Sequence, residues 1–192
     1  MLLALVEPAL ARAYLSRFDV TRDAAGFRID ASADLDAEQA VVWGTLTDYE
    51  KLPDFVPGIR RVRVLEAHEE GGRQHLLVEQ AGELRFLFFS RRVAVLLDIE
   101  QQPQSRVEAH ALPQSVGEGD EASLHEFEGT YTLVPIPGGV RLGYRARFAP
   151  EFTLPPILGT LAVRRTMQAQ FEALLAEIYR RHLAQVPHAP VR

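Results

Sequence analysis

The chain contains no cysteine. Disulfides, thiolate metal sites and a cysteine nucleophile are excluded, although the absence identifies no redox compartment. No apolar run approaches the ~20 residues that a helix needs to cross a bilayer. Metal-ligand spacing is missing too: the 6 histidines are scattered, with no His-Glu-x-x-His set, and no cofactor is implied. There is no Gly-x-Ser-x-Gly elbow to expose a serine and no Gly-x-x-x-x-Gly-Lys-Ser/Thr loop to cradle phosphates, so hydrolase and nucleotide-binding readings lack their local geometry. Positive charge is not in excess either. The 21 basic and 26 acidic residues leave a formal net charge of −5, which gives no general attraction to nucleic acid or anionic lipid. No DNA partner is expected.

What is present is globular in proportion. The 192 residues are 47% hydrophobic and 24% charged, enough for one domain with a core and too apolar for a disordered chain. Residues 1–26 read as an N-terminal extension. Leu2, Val6, Leu10 and Tyr14 recur at four-residue spacing, which predicts an amphipathic helix. The short apolar stretch from Leu2 to Val6, with no basic segment before it, argues against an intact signal peptide, whereas Ala11-Arg12-Ala13 resembles a cleavage site. The expectation is a cytoplasmic protein as the chain is written, or a periplasmic or exported one if the start truncates a leader. Residues 185–192 carry Pro187 and Pro190 without periodicity and read as a tail.

Between these ends, Phe27, Ile29, Ala31, Ala33 and Leu35 alternate with polar residues, the pattern of a half-buried strand. Asp36 is placed to cap a helix over 37–47 with Ala40, Trp43 and Leu46 on one side. Pro53, Pro57 and Gly58 then punctuate the chain and hand it to a series of strands. Gly71-Gly72 marks a hairpin turn. Residues 86–99 read as one long strand, with a bulge near Ser90 to reset its faces, and 106–112 as another. His125, Phe127, Tyr131 and Leu133 share one parity, as do Val140, Leu142, Tyr144, Ala146 and Phe148, with prolines and glycines between the two runs. Thr160, Val163, Met167, Phe171, Leu174 and Ile178 recur at steps of three or four and predict a helix over 157–184. This order specifies an α+β domain over 27–184, an antiparallel sheet curved around one terminal helix.

The order of elements, the segment Ala40-Val-Val-Trp-Gly-Thr-Leu-Thr-Asp-Tyr-Glu-Lys-Leu-Pro-Asp-Phe-Val-Pro-Gly-Ile59, and the hairpin wording Phe127-Glu-Gly-Thr-Tyr-Thr-Leu133 and Val140-Arg-Leu-Gly-Tyr144 resemble the START-like SRPBCC superfamily, in particular its polyketide cyclase/dehydrase and coenzyme Q-binding members. The resemblance implies a helix-grip fold of about seven strands around the C-terminal helix, with an apolar cavity between them. The residues placed to line such a cavity are Phe127, Tyr131, Tyr144, Phe148, Met167 and Phe171, with Phe55, Phe86 and Phe88 toward an entrance. Ordinary core packing accounts for the same aromatics equally simply.

The polar candidates have plain structural readings beside the functional ones. His125 is placed to meet a ligand carbonyl or carry a proton, or else to sit satisfied at the start of its strand. Tyr131 and Tyr144 can donate hydrogen bonds to a ligand oxygen or simply pack their rings. Asp48 and Asp54 fit capping and turn formation. Arg60, Arg61, Arg63, Arg91 and Arg92 read as a solvent face.

The resulting expectation is noncatalytic binding or transfer of a lipophilic small molecule, such as a lipid, an isoprenoid quinone or an aromatic polyketide, with transient membrane contact. The first alternative is a polyketide aromatase, cyclase or dehydratase using the same cavity, with Tyr131, Tyr144 or His125 transferring protons. The second is a ribosome-associated interaction protein, disfavoured by the acidic balance.

Overall fold

The computed structural model describes residues 14–86, 89–112, 124–150 and 156–185. Eight strands form one open sheet in which every neighbouring pair is antiparallel: β1 (Tyr14–Asp23), β2 (Gly26–Leu35), β3 (Ile59–Glu70), β4 (Arg73–Phe86), β5 (Phe89–Gln102), β6 (Arg106–Ala111), β7 (Leu124–Ile136) and β8 (Gly139–Pro150). Their order across the sheet is β1-β2-β8-β7-β6-β5-β4-β3. The α1 helix (Gln39–Leu46), a 3-10 turn (Tyr49–Lys51) and the short α2 helix (Leu52–Phe55) connect β2 to β3, and α3 (Pro156–Gln185) is the last described element.

The concave face of the sheet is apolar because alternate residues of each strand point the same way. Ile29, Ala31, Ala33 and Leu35 on β2 are buried, and so are Leu133 on β7 and Val140 and Leu142 on β8. Against them α3 lays the stripe that its spacing predicts: Val163, Phe171, Leu174 and Ile178 are all buried. This is the helix-grip arrangement, with an eighth strand beyond the expected seven.

That extra strand is β1, which occupies part of the segment read as an extension. Phe18 and Val20 alternate with Arg17, Asp19 and Thr21, and Phe18 is buried beneath the sheet, its ring 6.2 Å from that of Phe171. A register shift between Leu15 and Arg17 breaks the alternation and hides it from a period-two reading. The helix expected from Leu2 to Tyr14 falls, apart from Tyr14 itself, outside the described residues; Tyr14 begins β1.

Two further expectations are corrected. Residues 86–99 are not one strand: Phe86 ends β4, Phe89 begins β5, and the two residues pair with each other across the hairpin. The β4–β5 register then runs without a shift past Ser90, so no bulge is needed there. In α1, Glu38 rather than Asp36 occupies the N-cap and makes no capping hydrogen bond through its side chain. The buried face of that helix is Val41, Val42, Thr45 and Leu46, while Ala40 is exposed, because α1 packs on both α3 and the sheet.

Candidate functional site

Between the concave sheet and α3 the side chains leave a cavity of about 190 Å³. Its walls follow from strand parity. Val95, Leu97 and Ile99 of β5 face it, with Val107 and Ala109 of β6 beside them. On β7, Phe127, Gly129 and Tyr131 share the inward parity, and the register sets Tyr131 directly opposite Tyr144 of β8. Met167, Gln170, Phe171 and Leu174 of α3 complete the roof, and Leu46 and Tyr49 close one end.

The aromatic rings form a layered wall. Tyr131 and Tyr144 stack at 4.4 Å between centroids with 21° between planes, and Tyr144 lies 6.2 Å from Phe171 at 18°. Gly129 makes room for the neighbouring ring: a Cβ there would lie 2.9 Å from Cζ of Phe127. Tyr131 and Tyr144 sit deep within the protein yet each keeps accessible surface, which belongs to the cavity they line.

No charged side chain lines the cavity among the described residues. Its polar groups are the Tyr49, Tyr131 and Tyr144 hydroxyls and the amides of Gln80 and Gln170. Burial pushes the Tyr131 hydroxyl well above the ordinary phenol range, and repulsion from the ionised forms of Tyr144 and Tyr49 raises it further. Burial raises the Tyr144 hydroxyl as well, and it pushes Tyr49 up to about 12 against the opposing hydrogen bond from Gln101. That bond, from Gln101 Nε2 to Tyr49 Oη, spans 2.7 Å between two buried side chains. All three phenols are therefore protonated at neutral pH: they can donate a hydrogen bond but are poor proton acceptors.

Five of the residues picked out by pattern meet at this cavity: Phe127, Tyr131, Tyr144, Met167 and Phe171. Two are placed elsewhere. Phe148 stacks on Phe27 at 5.4 Å, nearer the start of α3, and the ring of Phe55 lies under the Arg181 guanidinium at 5.7 Å. The side chains of Phe86 and His125, and the whole of Phe88, lie outside the described residues. In the proline and glycine break between α2 and β3, Gly58 has the positive φ of 84° that favours glycine, and Gln170 Nε2 donates to the Pro57 carbonyl at 3.0 Å.

Asp48 does not cap the turn that follows it; its carboxylate pairs with Arg181 at 2.9 Å. Arg61 and Arg63 are both committed to the buried carboxylate of Glu79, at 2.7 and 2.5 Å, and Arg60 pairs with Glu83. Pattern reading missed Tyr49, Gln80, Gln101 and Gln170. The signal for Gln80 and Gln101 was present, since each shares the parity of an inward aliphatic, Val78 and Ile99. Among the described residues no group of three His, Asp or Glu could hold a metal, and no helix is long and apolar enough to cross a membrane.

A curved antiparallel sheet gripping a C-terminal helix around an uncharged hollow defines a small-molecule-binding domain of the START-like kind. The chain belongs to the family described as "Polyketide cyclase / dehydrase and lipid transport", which matches residues 26–182. Its fold is shared with the STAR-related lipid transfer protein of Xanthomonas axonopodis, at 18% identity over 84% of this chain and 98% of that one, with a TM-score of 0.62. The Zhui aromatase/cyclase from Streptomyces sp. R1128 matches at 17% identity over 80% and 94%, with a TM-score of 0.58. Human StAR-related lipid transfer protein 5 matches at 10% identity over 88% of each chain, with a TM-score of 0.60. Identities this low establish the common fold alone. No curated protein matches the chain significantly.

Proposed function

We propose that this protein binds and transfers a lipophilic small molecule without transforming it. The observation that carries the reading is the cavity itself: apolar walls, three protonated phenols, and no charged side chain among its described residues. Desolvation supplies the affinity. Burying ~300 Å² of ligand surface at ~25 cal/mol per Å² contributes ~7 kcal/mol before the costs of association. The phenols and amides orient a ligand oxygen by donating to it. At about 190 Å³ the cavity suits a single ring or a short chain segment, so a larger ligand requires the walls to move.

Purification from the native host, followed by organic extraction and mass spectrometry, is expected to yield one recurrent lipophile in stoichiometric amount. Repeated recovery of empty protein, with no binding across a panel of lipids, quinones and aromatic polyketides, would overturn the reading.

The stacked Tyr131–Tyr144 pair favours one second reading, cyclisation or dehydration of a polyketide held in the same cavity. Burial keeps both hydroxyls protonated, so they can hydrogen-bond to a ligand oxygen, but the same upward shift makes them weak general acids. A base to remove a carbon-bound proton has no counterpart among the described lining residues, which leaves binding as the better-supported reading. Turnover of a poly-β-ketone substrate, abolished by Tyr131→Phe in a protein that still folds, would reverse that ranking.

A further inference from the structure

On the outer side of Tyr49 lies a second hollow, about 250 Å³, between α1, the 3-10 turn and strands β3, β4 and β5. Tyr49 lines both this cleft and the cavity, and is the one described residue common to them. We propose that the cleft is a head-group subsite of the cavity, that Tyr49 is the gate between them, and that the ligand is an amphiphile with an uncharged or cationic hydrogen-bonding head. The proposal deepens the reading of the cavity as a lipophile site and rests on it.

Three observations converge on it. The first is volume: each hollow alone falls below the ~300–1,000 Å³ usual for small-molecule sites, and joined they reach that range. The second is polarity. At the wall the two hollows share, the cavity presents the Tyr49 hydroxyl, which is close enough to Tyr131 to raise that phenol and is held by Gln101. Beyond it the cleft offers the side chains of Thr47, Gln74 and Gln101, with Asp48 and Glu50 as its only ionisable groups besides Tyr49, and no basic lining residue among those described. Asp48 is already paired with Arg181, so the cleft has at most a weak negative field, which disfavours a carboxylate or phosphate head. A chain in the mostly apolar cavity and a neutral or cationic head in the more polar cleft match this contrast.

The third observation is the build of the partition. Tyr49 sits on a three-residue turn between two short helices, and neither the turn nor α2 has a side-chain cap. The turn is tethered on one side by the Asp48–Arg181 ion pair, and the ring is latched by the one Gln101 hydrogen bond. Rotation of the Tyr49 side chain exchanges that bond for one to the ligand head, so no buried donor need be left unpaired.

The chain carries its own reporter, because its single tryptophan, Trp43, lines the cleft. The probes are two decylglycerols, one brominated beside the glycerol and one at the far end of the chain, each quenching only by close approach. Head-proximal bromine is expected to quench Trp43 at least ~2-fold more strongly, and decanoate to bind severalfold more weakly than decylglycerol. Tyr49→Ala is expected to raise the association rate, with Tyr49→Phe intermediate because it keeps the ring and loses the latch. Stronger quenching from the chain end, or an association rate unchanged in a folded Tyr49→Ala protein, would overturn the proposal. Calorimetry with iodobenzene, sized for the cavity alone, separates the two levels: iodobenzene binding without Trp43 quenching by either decylglycerol sinks the subsite and leaves the cavity reading intact. Absence of binding by iodobenzene and both decylglycerols sinks both.

Discussion

The phenol ring of Tyr131 stacks on that of Tyr144 at 4.4 Å because the β7–β8 register places the two residues directly opposite each other on the concave face. The pair puts two hydroxyls inside a mostly apolar hollow, where each is shielded from bulk water but not packed against by other groups on every side. Side chains that serve only to fill a core have no need of such space, so the pair is the place to separate packing from recognition.

Tyr131→Phe and Tyr144→Phe should each leave stability within ~1 kcal/mol of the parent, because the ring stays and the hydroxyl faces a void. Affinity for a ligand that accepts a hydrogen bond should fall about tenfold, the worth of one such bond at ~1.4 kcal/mol. Urea unfolding and titration with an oxygenated lipophile and its hydrocarbon analogue check both parts; an equal loss for the two ligands would contradict hydrogen bonding.

Ala109→Leu fills part of the cavity from the β6 wall without disturbing a strand hydrogen bond. Stability should be retained within ~1 kcal/mol, since the added carbons occupy empty space rather than displacing neighbours, while lipophile binding falls more than ~10-fold. A destabilised variant with unchanged binding would place the ligand elsewhere.

At alkaline pH the buried phenols should govern stability. Tyr49 ionises near 10.0 in the unfolded chain and at about 12 in the fold, so below pH 10 both states are protonated and its contribution is fully present. Above that the unfolded state loses its proton first, and stability declines as pH rises toward 12. Tyr131 and Tyr144 act in the same direction. Unfolding midpoints measured from pH 9 upward should therefore drop, and Tyr49→Phe should make the drop shallower.

The acid limb should carry the signature of Glu177. Hydrogen bonds from Arg180 and Arg181, both at 2.7 Å, lower its carboxyl from 4.5 to about 2. Above pH 4.5 the carboxyl is ionised in both states and the stabilisation is complete; as pH falls toward 2 the unfolded state takes up the proton first and the stabilisation is lost. In Glu177→Gln the decline between these limits should flatten, which denaturant midpoints against pH will detect.

Gly139→Ala should be the costliest of these small changes. A Cβ at Gly139 would lie 1.9 Å from the backbone carbonyl oxygen of Leu35, which cannot rotate away as a side chain could. A loss of at least ~1–3 kcal/mol is expected, against a smaller one for Gly129→Ala, where the obstacle is the movable ring of Phe127. Thermal unfolding of the two variants checks the order.

Much of the fold was legible because periodicity is local. The alternations on β2, β7 and β8 and the three-or-four spacing on α3 each identify a face without reference to the rest of the chain. The sequence from Arg85 to Arg91 was not legible in this way. Its aromatic run carries no period, and none of the usual turn residues marks the reversal between Phe86 and Phe89. The edge strand β1 was hidden similarly, by the register shift after Leu15.

Part of the site was legible for the same reason: parity alone put Phe127, Tyr131 and Tyr144 on one face, and helical spacing put Met167 and Phe171 on another. Phe148 obeys the same parity as Tyr144 yet spends its ring on Phe27, and Phe55 spends its own on Arg181, because which neighbour a side chain meets depends on segments far away in sequence. The amino-acid order alone determined most of the elements, the inward faces of β2, β7, β8 and α3, and the family, since each is encoded in short-range pattern. Tertiary structure alone decided that about 190 Å³ stays open beneath α3 and that Tyr49, latched by Gln101, divides it from the cleft behind. A hollow is what remains when all surrounding side chains have been placed together, so no single stretch of sequence can specify it.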